Sequence, residues 1–285
     1  MYLPVSERTP GVIASMSYLV QTHERPFQYA YPPPEGEPWE SDRFDERATF
    51  IADARRIAGT VHDRGFELRD APSEVRDFED RDEVERMYYP EVAALALAAT
   101  GARQAHVFDH LVRKREADRR ALSFGRASRG QAAAANGRIH NDYTEQSGQR
   151  RLGLVIGDAE ACANGSRYAI VNVWRSIRGP VRDTPLAVCD ARTIDASELV
   201  AADVLYPRRK GEIYLLRHGE RHRWSYFPQM DRHEALVFKQ YDSQVSGVAR
   251  YTPHAAFELP DVPEGTPLRE SIEARCLVIF DEGRP

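Results

Sequence analysis

Apolar and polar positions are patterned differently in the two parts of this chain. Between Phe44 and Arg64, Ile51, Ala54 and Ile57 recur at intervals of three, a spacing that places them on one face and predicts a helix. Asp82 to Thr100 opens with acidic residues and turns alanine-rich, which predicts a second helix with a favourable N-terminus and a natural stop at Gly101. Phe66-Glu67-Leu68 and the alternating Ala105 to Arg113 read as strands. From there on the apolar runs are short, β-branched or aromatic, and bounded by turn residues: Arg138 to Asp142, Tyr168 to Trp174, Glu212 to Leu216, Trp224 to Phe227, Ala235 to Tyr241 and Ile272 to Phe280. A helical N-terminal part followed by many short strands predicts an α+β chain whose functional half is a β-sandwich or barrel.

Two segments escape this pattern. The first forty residues carry Tyr31-Pro32-Pro33-Pro34; prolines cannot donate to a central ladder, so an arm laid over the surface is expected. Asp118 to Gly137 is polar, small and glycine-containing, which predicts a mobile loop, and its place directly before Arg138 to Asp142 makes it a lid candidate. No repeat or linker divides the chain. A single domain over residues 1–285 is expected, with 1–115 as arm, helices and strands and 116–285 as core.

Composition narrows the partners. With 39 Lys and Arg against 44 Asp and Glu, the net charge is −5, which weighs against nucleic acid or an anionic membrane. Arg113-Lys114-Arg115 and Arg208-Arg209-Lys210 are then read as solvated faces. No apolar run approaches the ~20 residues of a bilayer span, and the N-terminus lacks a basic region followed by an apolar stretch. A cytoplasmic protein with a small-molecule substrate is expected; a homodimer is compatible with the sequence. Cys162, Cys189 and Cys276 are odd in number and widely spaced, which suits free thiols better than a disulfide framework or a zinc motif.

One short motif carries chemistry. In His140-Asn141-Asp142 the first and third residues point to the same side of a strand, so an imidazole and a carboxylate can reach one metal ion. His254, in Thr252-Pro253-His254, is the distant second imidazole. Two histidines and one carboxylate on one face of an octahedral ion leave the opposite positions open, the arrangement of non-heme Fe(II) oxygenases. His218 and His222, four apart, are the fallback for the third ligand, although Gly219 points to a turn between them.

Further strings carry a resemblance. Asn172-Val173-Trp174-Arg175, Gly211-Glu212-Ile213-Tyr214, His222-Arg223-Trp224-Ser225-Tyr226-Phe227-Pro228, Thr252-Pro253-His254-Ala255-Ala256-Phe257 and Arg269-Glu270-Ser271-Ile272-Glu273-Ala274-Arg275 closely resemble one family. It comprises fungal and bacterial hydroxylase/desaturases and includes the aspergillic acid pathway enzyme, a gibberellin desaturase and a cephamycin C-7 methoxylation component. The resemblance spans residues 138 to 280. It implies a double-stranded β-helix (jelly-roll, cupin-like) core with flanking N-terminal helices, and an Fe(II)/2-oxoglutarate-dependent dioxygenase that uses O2. The substrates implied are small secondary metabolites or amino-acid derivatives, to be hydroxylated, desaturated or cyclised. A methyltransferase label carried by some relatives is not inherited, because no glycine-rich loop follows a strand here.

The resemblance places the metal on His140, Asp142 and His254. It also asks for a cation on a strand soon after the distal histidine, where a guanidinium can grip the far carboxylate of 2-oxoglutarate through two parallel hydrogen bonds. Arg275 is preferred, because Leu277 and Ile279 continue its face; Arg269, an even number of residues away, is the alternative. For the substrate, Arg175 at a strand end is a candidate for a carboxylate, with an ion pair to Asp190 as its ordinary role. Tyr143 and Thr144 could orient a ligand, and Trp224, with Tyr226 and Phe227, reads as core and pocket wall. Two rival functions remain, a hydrolase whose metal activates water and a non-catalytic cupin-like binding protein. Turnover of 2-oxoglutarate separates the oxygenase from both.

Overall fold

Residues 9–41, 43–115, 135–157 and 165–281 are described in the computed structural model. Among them, five strands precede residue 116: β1 (Gly11–Leu19), β2 (Phe27–Tyr29), β3 (Phe44–Asp53), β4 (Phe66–Asp70) and β5 (Gln104–Lys114). Nine follow: β6 (His140–Asn141), β7 (Tyr168–Ser176), β8 (Leu186–Cys189), β9 (Leu199–Tyr206), β10 (Arg209–Leu216), β11 (Trp224–Tyr226), β12 (Glu234–Asp242), β13 (His254–Ala256) and β14 (Glu270–Ile279). They form a nine-stranded sheet, ordered β1-β3-β11-β8-β13-β6-β10-β9-β2, and a five-stranded sheet, ordered β4-β12-β7-β14-β5.

Strands β7, β12 and β14 of the smaller sheet are buried on both faces almost throughout, which is why they read as nearly continuous hydrophobic runs. One row, Ala169, Val171 and Val173 with Ile272, Ala274, Cys276 and Val278, packs with Val92, Ala96 and Ala99 of a helix (Tyr89–Thr100). The opposite row faces the larger sheet: Trp174, Leu236 and Phe238 meet Leu186 and Val188 of β8 there. The larger sheet curls. Bridges from Ser17 to Arg138 and from Leu19 to Arg217 bring β1 back against the chain beside β6 and β10. The curled strands enclose a separate cluster of Met16, Tyr18, Ile51, Ile139, Leu216, Trp224 and Phe257.

Several expectations hold and others fall. The helix over residues 82–100 forms as an α-turn Arg81–Glu83, a π-helical turn Val84–Tyr88 and the α-helix Tyr89–Thr100, which ends at Gly101 in the left-handed region (φ 66°). The flanking helix over residues 44–64 does not form. Phe44–Asp53 is instead β3, paired antiparallel with β1 through nine consecutive residues, from Leu19 opposite Phe44 to Gly11 opposite Ala52. That ladder outweighs the weak helical spacing of three apolar residues. The expected surface arm likewise contains β1 and β2. The lid candidate 118–137 lies outside the described residues except for Ala135, Asn136 and Gly137, and Cys162 lies outside them as well; Cys189 and Cys276 are buried free thiols.

Candidate metal centre

β6 and β13 are neighbours in the curled sheet, and His140 stands directly opposite His254 in their register. Same-register residues share a face, so both imidazoles project from the sheet together. Their ring centroids are 4.3 Å apart, and His254 packs against Phe238 of the smaller sheet at 4.8 Å. Asp142 follows β6 by one residue and brings its carboxylate to the same point. One ligand atom from each of His140, Asp142 and His254 lies within 4.8 Å of the others, the only such group of three among the described residues.

The surroundings prepare these three side chains to bind a cation. His140 Nδ1 donates to the Arg138 carbonyl at 2.8 Å and His254 Nδ1 to the Thr252 carbonyl at 3.2 Å. A carbonyl can only accept, so both Nδ1 atoms carry the proton and both Nε2 atoms keep a lone pair. Burial pushes both imidazoles down to about 4, aided at His140 by His254, so both are neutral near pH 7. Burial alone would raise the Asp142 carboxyl, but Arg275 and the two histidines, with a hydrogen bond from Asn172, hold it well below the usual carboxylate range. The donor set therefore suits a borderline divalent ion.

Polar residues from the smaller sheet fix the triad. Asn172 on β7 donates to Asp142 Oδ2 at 2.9 Å, and Arg275 on β14 donates to the same oxygen at 3.0 Å. Gln240 accepts from the Asp142 N–H at 2.7 Å and donates to the Thr252 carbonyl at 3.2 Å. It reaches inward because β12 bulges there, its register to β7 shifting between Lys239 and Tyr241; bulges commonly re-aim side chains beside active sites. Asn141 bonds the Gln240 carbonyl and accepts from the Thr252 N–H. Of these supports the sequence singles out only Arg275, and for a different role, the grip on 2-oxoglutarate. Asn172 and Gln240 were visible there as lone amides inside otherwise apolar runs.

The two candidate arginines are in different situations. Arg275 is fully committed: Nε to Asp142, one terminal nitrogen to Asp109 at 3.1 Å and the other to Glu273 at 3.0 Å. Arg269 is buried, donates from one terminal nitrogen to the Thr184 carbonyl at 2.8 Å and lies over the Trp174 ring, and its Nε has no hydrogen-bond partner. Burial pushes this guanidinium down to about 10. Arg113, expected on a solvated face, is the register partner of Ser271 on the edge that carries Glu273 and Arg275, and burial beside Arg275 lowers it too.

Other candidates sit elsewhere. Arg175 is on the helix-facing side of β7, where it donates to the Tyr88 hydroxyl and the Arg232 carbonyl, while Asp190 pairs with Arg64 and Arg192. Trp224 is inside the curled cluster and donates to the Tyr18 hydroxyl at 2.7 Å. Thr144 caps a helix (Glu145–Ile156) that was not anticipated, accepting from the Ser147 N–H. His222 bonds Glu198 and His218 lies beside Arg47, apart from the triad. Tyr143 is buried next to the site, its phenol pushed up to about 12 by burial against the pull of Arg275.

Comparison with known proteins decides what this centre belongs to. A family profile described as YDMC, an oxidoreductase/YMDC permease-like domain, matches residues 16–279. The alpha-ketoglutarate-dependent dioxygenase phiK of a Fungal sp. is 32% identical over 251 residues, 83% of this chain and 85% of that protein. The chain belongs to the Fe(II)/2-oxoglutarate-dependent oxygenase family. The hydroxylase/desaturase efuI of Hormonema carpetanum is 29% identical, covering 84% of this chain and 86% of that one. A solved structure, the iron and alpha-ketoglutarate-dependent endoperoxidase NvfI, superposes with a TM-score of 0.81 at 26% identity, over 95% of this chain and 99% of the other. The two facing, curled sheets are thus the jelly-roll of these oxygenases, and the protein is an oxidoreductase that uses Fe(II), 2-oxoglutarate and O2 on a small-molecule substrate. Despite the profile's name, no described helix is long and apolar enough to cross a membrane.

Proposed function

We propose that His140, Asp142 and His254 hold the iron, that Arg269 receives the distal carboxylate of 2-oxoglutarate, and that this chain hydroxylates, desaturates or cyclises a small secondary metabolite or amino-acid derivative. The convergence of two neutral imidazoles and one ionised carboxylate within 4.8 Å carries the reading. Bound there, the ferrous ion and its co-substrate would supply the oxidising power, and the protein supplies position and electrostatics. His140 and His254 offer Nε2 because their Nδ1 protons are occupied. Asp142 stays ionised because Arg275 and Asn172 hold it.

Arg269 is preferred over Arg275 on the chemistry of its nitrogens. A buried guanidinium with an unpartnered Nε is under-satisfied among the described residues, and a carboxylate arriving beside Trp174 would complete it. Arg275 already spends its nitrogens on three carboxylates. Arg113, whose charge is felt at His140 and His254, and Tyr143, which follows Asp142 in the chain, are the residues we assign to substrate contact, in place of Arg175 and Trp224. We read residues 1–285 as one oxygenase domain, since strands from before residue 116 enter both sheets.

The test is conversion of 2-oxoglutarate to succinate by the purified chain with Fe(II) and ascorbate. Succinate formed by the wild type and lost in His140→Ala and His254→Ala supports the assignment. Succinate formation undiminished in both variants would move the metal elsewhere.

A further inference from the structure

Both hydrogen bonds that reach the Asp142 carboxylate from the smaller sheet end on one oxygen. Arg275 Nε and Asn172 Nδ2 donate to Oδ2 at 3.0 and 2.9 Å, while Oδ1 is the oxygen 3.6 Å from His140 Nε2. Arg275 is itself held from behind by Glu273 and Asp109. Its direction is therefore set by two carboxylates other than the one it serves. A flexible ammonium could not reproduce these three fixed directions.

We propose that Arg275 and Asn172 are positioning residues that restrain Asp142 to one-oxygen coordination, keeping Oδ2 off the metal. The proposal rests on the triad being the metal site. Its consequence follows from counting positions. Two imidazoles and Oδ1 would take three of the six positions of an octahedral ion, and a chelating 2-oxo acid would need two of the remaining three. A carboxylate free to turn and bind through both oxygens would occupy one of the positions that the 2-oxo acid needs. Arg275 thus governs co-substrate binding through Asp142, without touching the co-substrate.

Arg275 gripping the distal carboxylate directly would also make its loss weaken 2-oxoglutarate binding, so the test must separate the two roles. The full chain is loaded with Co(II), which reports coordination in its visible spectrum without turnover. It is titrated with 2-oxoglutarate and with 2-oxobutyrate, which chelates identically but has no second carboxylate. Removing a charge-assisted bond of this kind is worth roughly tenfold to a hundredfold in affinity. Arg275→Met is expected to weaken both 2-oxo acids by the same factor of about that size, while Co(II) affinity does not fall in step. Asn172→Ala, which leaves the Arg275 ion pairs in place, is expected to move both titrations in the same direction and keeps the test decisive if Arg275→Met does not fold. A loss confined to 2-oxoglutarate would overturn the proposal in favour of direct contact, and unchanged affinities in both variants would overturn it outright. Failure of the wild type to take up Co(II) would reject the metal site along with it.

Discussion

Arg269 and Arg275 show how partners separate two residues that the sequence offers for the same role. Arg269 immediately precedes β14 and Arg275 lies on it, an even number of residues apart, and nothing in their spacing says which one is already paired. The partners decide it: beside Glu273 on β14 itself, Arg275 meets Asp109 of β5 and Asp142 after β6, which the local sequence does not reveal. Arg269→Ala is expected to weaken 2-oxoglutarate by roughly thirty-fold to several thousand-fold, the cost of stranding one partner of a desolvated charge pair, as read by co-substrate titration. Arg269→Met is expected to do the same while raising the melting temperature of the metal-free protein, because a buried, under-satisfied cation is replaced by an apolar side chain of similar volume. A lowered melting temperature in Arg269→Met, measured by differential scanning calorimetry, would show that the guanidinium is structurally satisfied. The juxtaposition of His140 and Asp142 was legible at this scale because a His-x-Asp pair is a local geometric statement.

Elements carry information that single residues do not. The bulge in β12 turns Gln240 into the space between the sheets, and Gln240 in turn ties the Asp142 backbone to the Thr252 carbonyl, which orients His254. Gly65, just before β4, has φ +92°, and a Cβ there would lie 2.3 Å from Thr252 Oγ1. Gly65→Ala should therefore lower stability by about 1–2 kcal/mol through backbone strain alone. It should also loosen His254, since Thr252 must yield. Thermal melting together with Co(II) titration checks this; a fall in melting temperature with unchanged metal affinity would separate Thr252 from the site. Strands β7, β12 and β14 were legible because their runs are long and apolar. β3 was not, because Ile51, Ala54 and Ile57 fit a helical period by themselves and its pairing with β1 is a tertiary fact. The helix after Thr144 was missed because its capping box uses Ser147 where the common signature has Glu or Gln.

For the molecule as a whole, the His140, Asp142 and His254 triad comes from the larger sheet and most of its restraints from the smaller one. Filling the site should therefore tie the two sheets together. With Mn(II) standing in for iron and 2-oxoglutarate at a hundred times its dissociation constant, mass action gives about 2.7 kcal/mol of stabilisation, or about 5 °C in melting temperature for a chain of this size. Scanning fluorimetry should find that shift in the wild type and not in Asp142→Ala. The jelly-roll and its cofactors were legible from the strings between residues 138 and 280. The contribution of the N-terminal strands was not, since β1, β3 and β5 gain their meaning only from partners elsewhere in the chain. The most direct test of the central claim is the visible spectrum of the anaerobic protein with Fe(II) and 2-oxoglutarate. The wild type should show the weak charge-transfer band of a chelated 2-oxo acid, and His254→Ala and Asp142→Ala should lack it; a band of undiminished intensity in either variant would contradict the assignment of the metal to His140, Asp142 and His254.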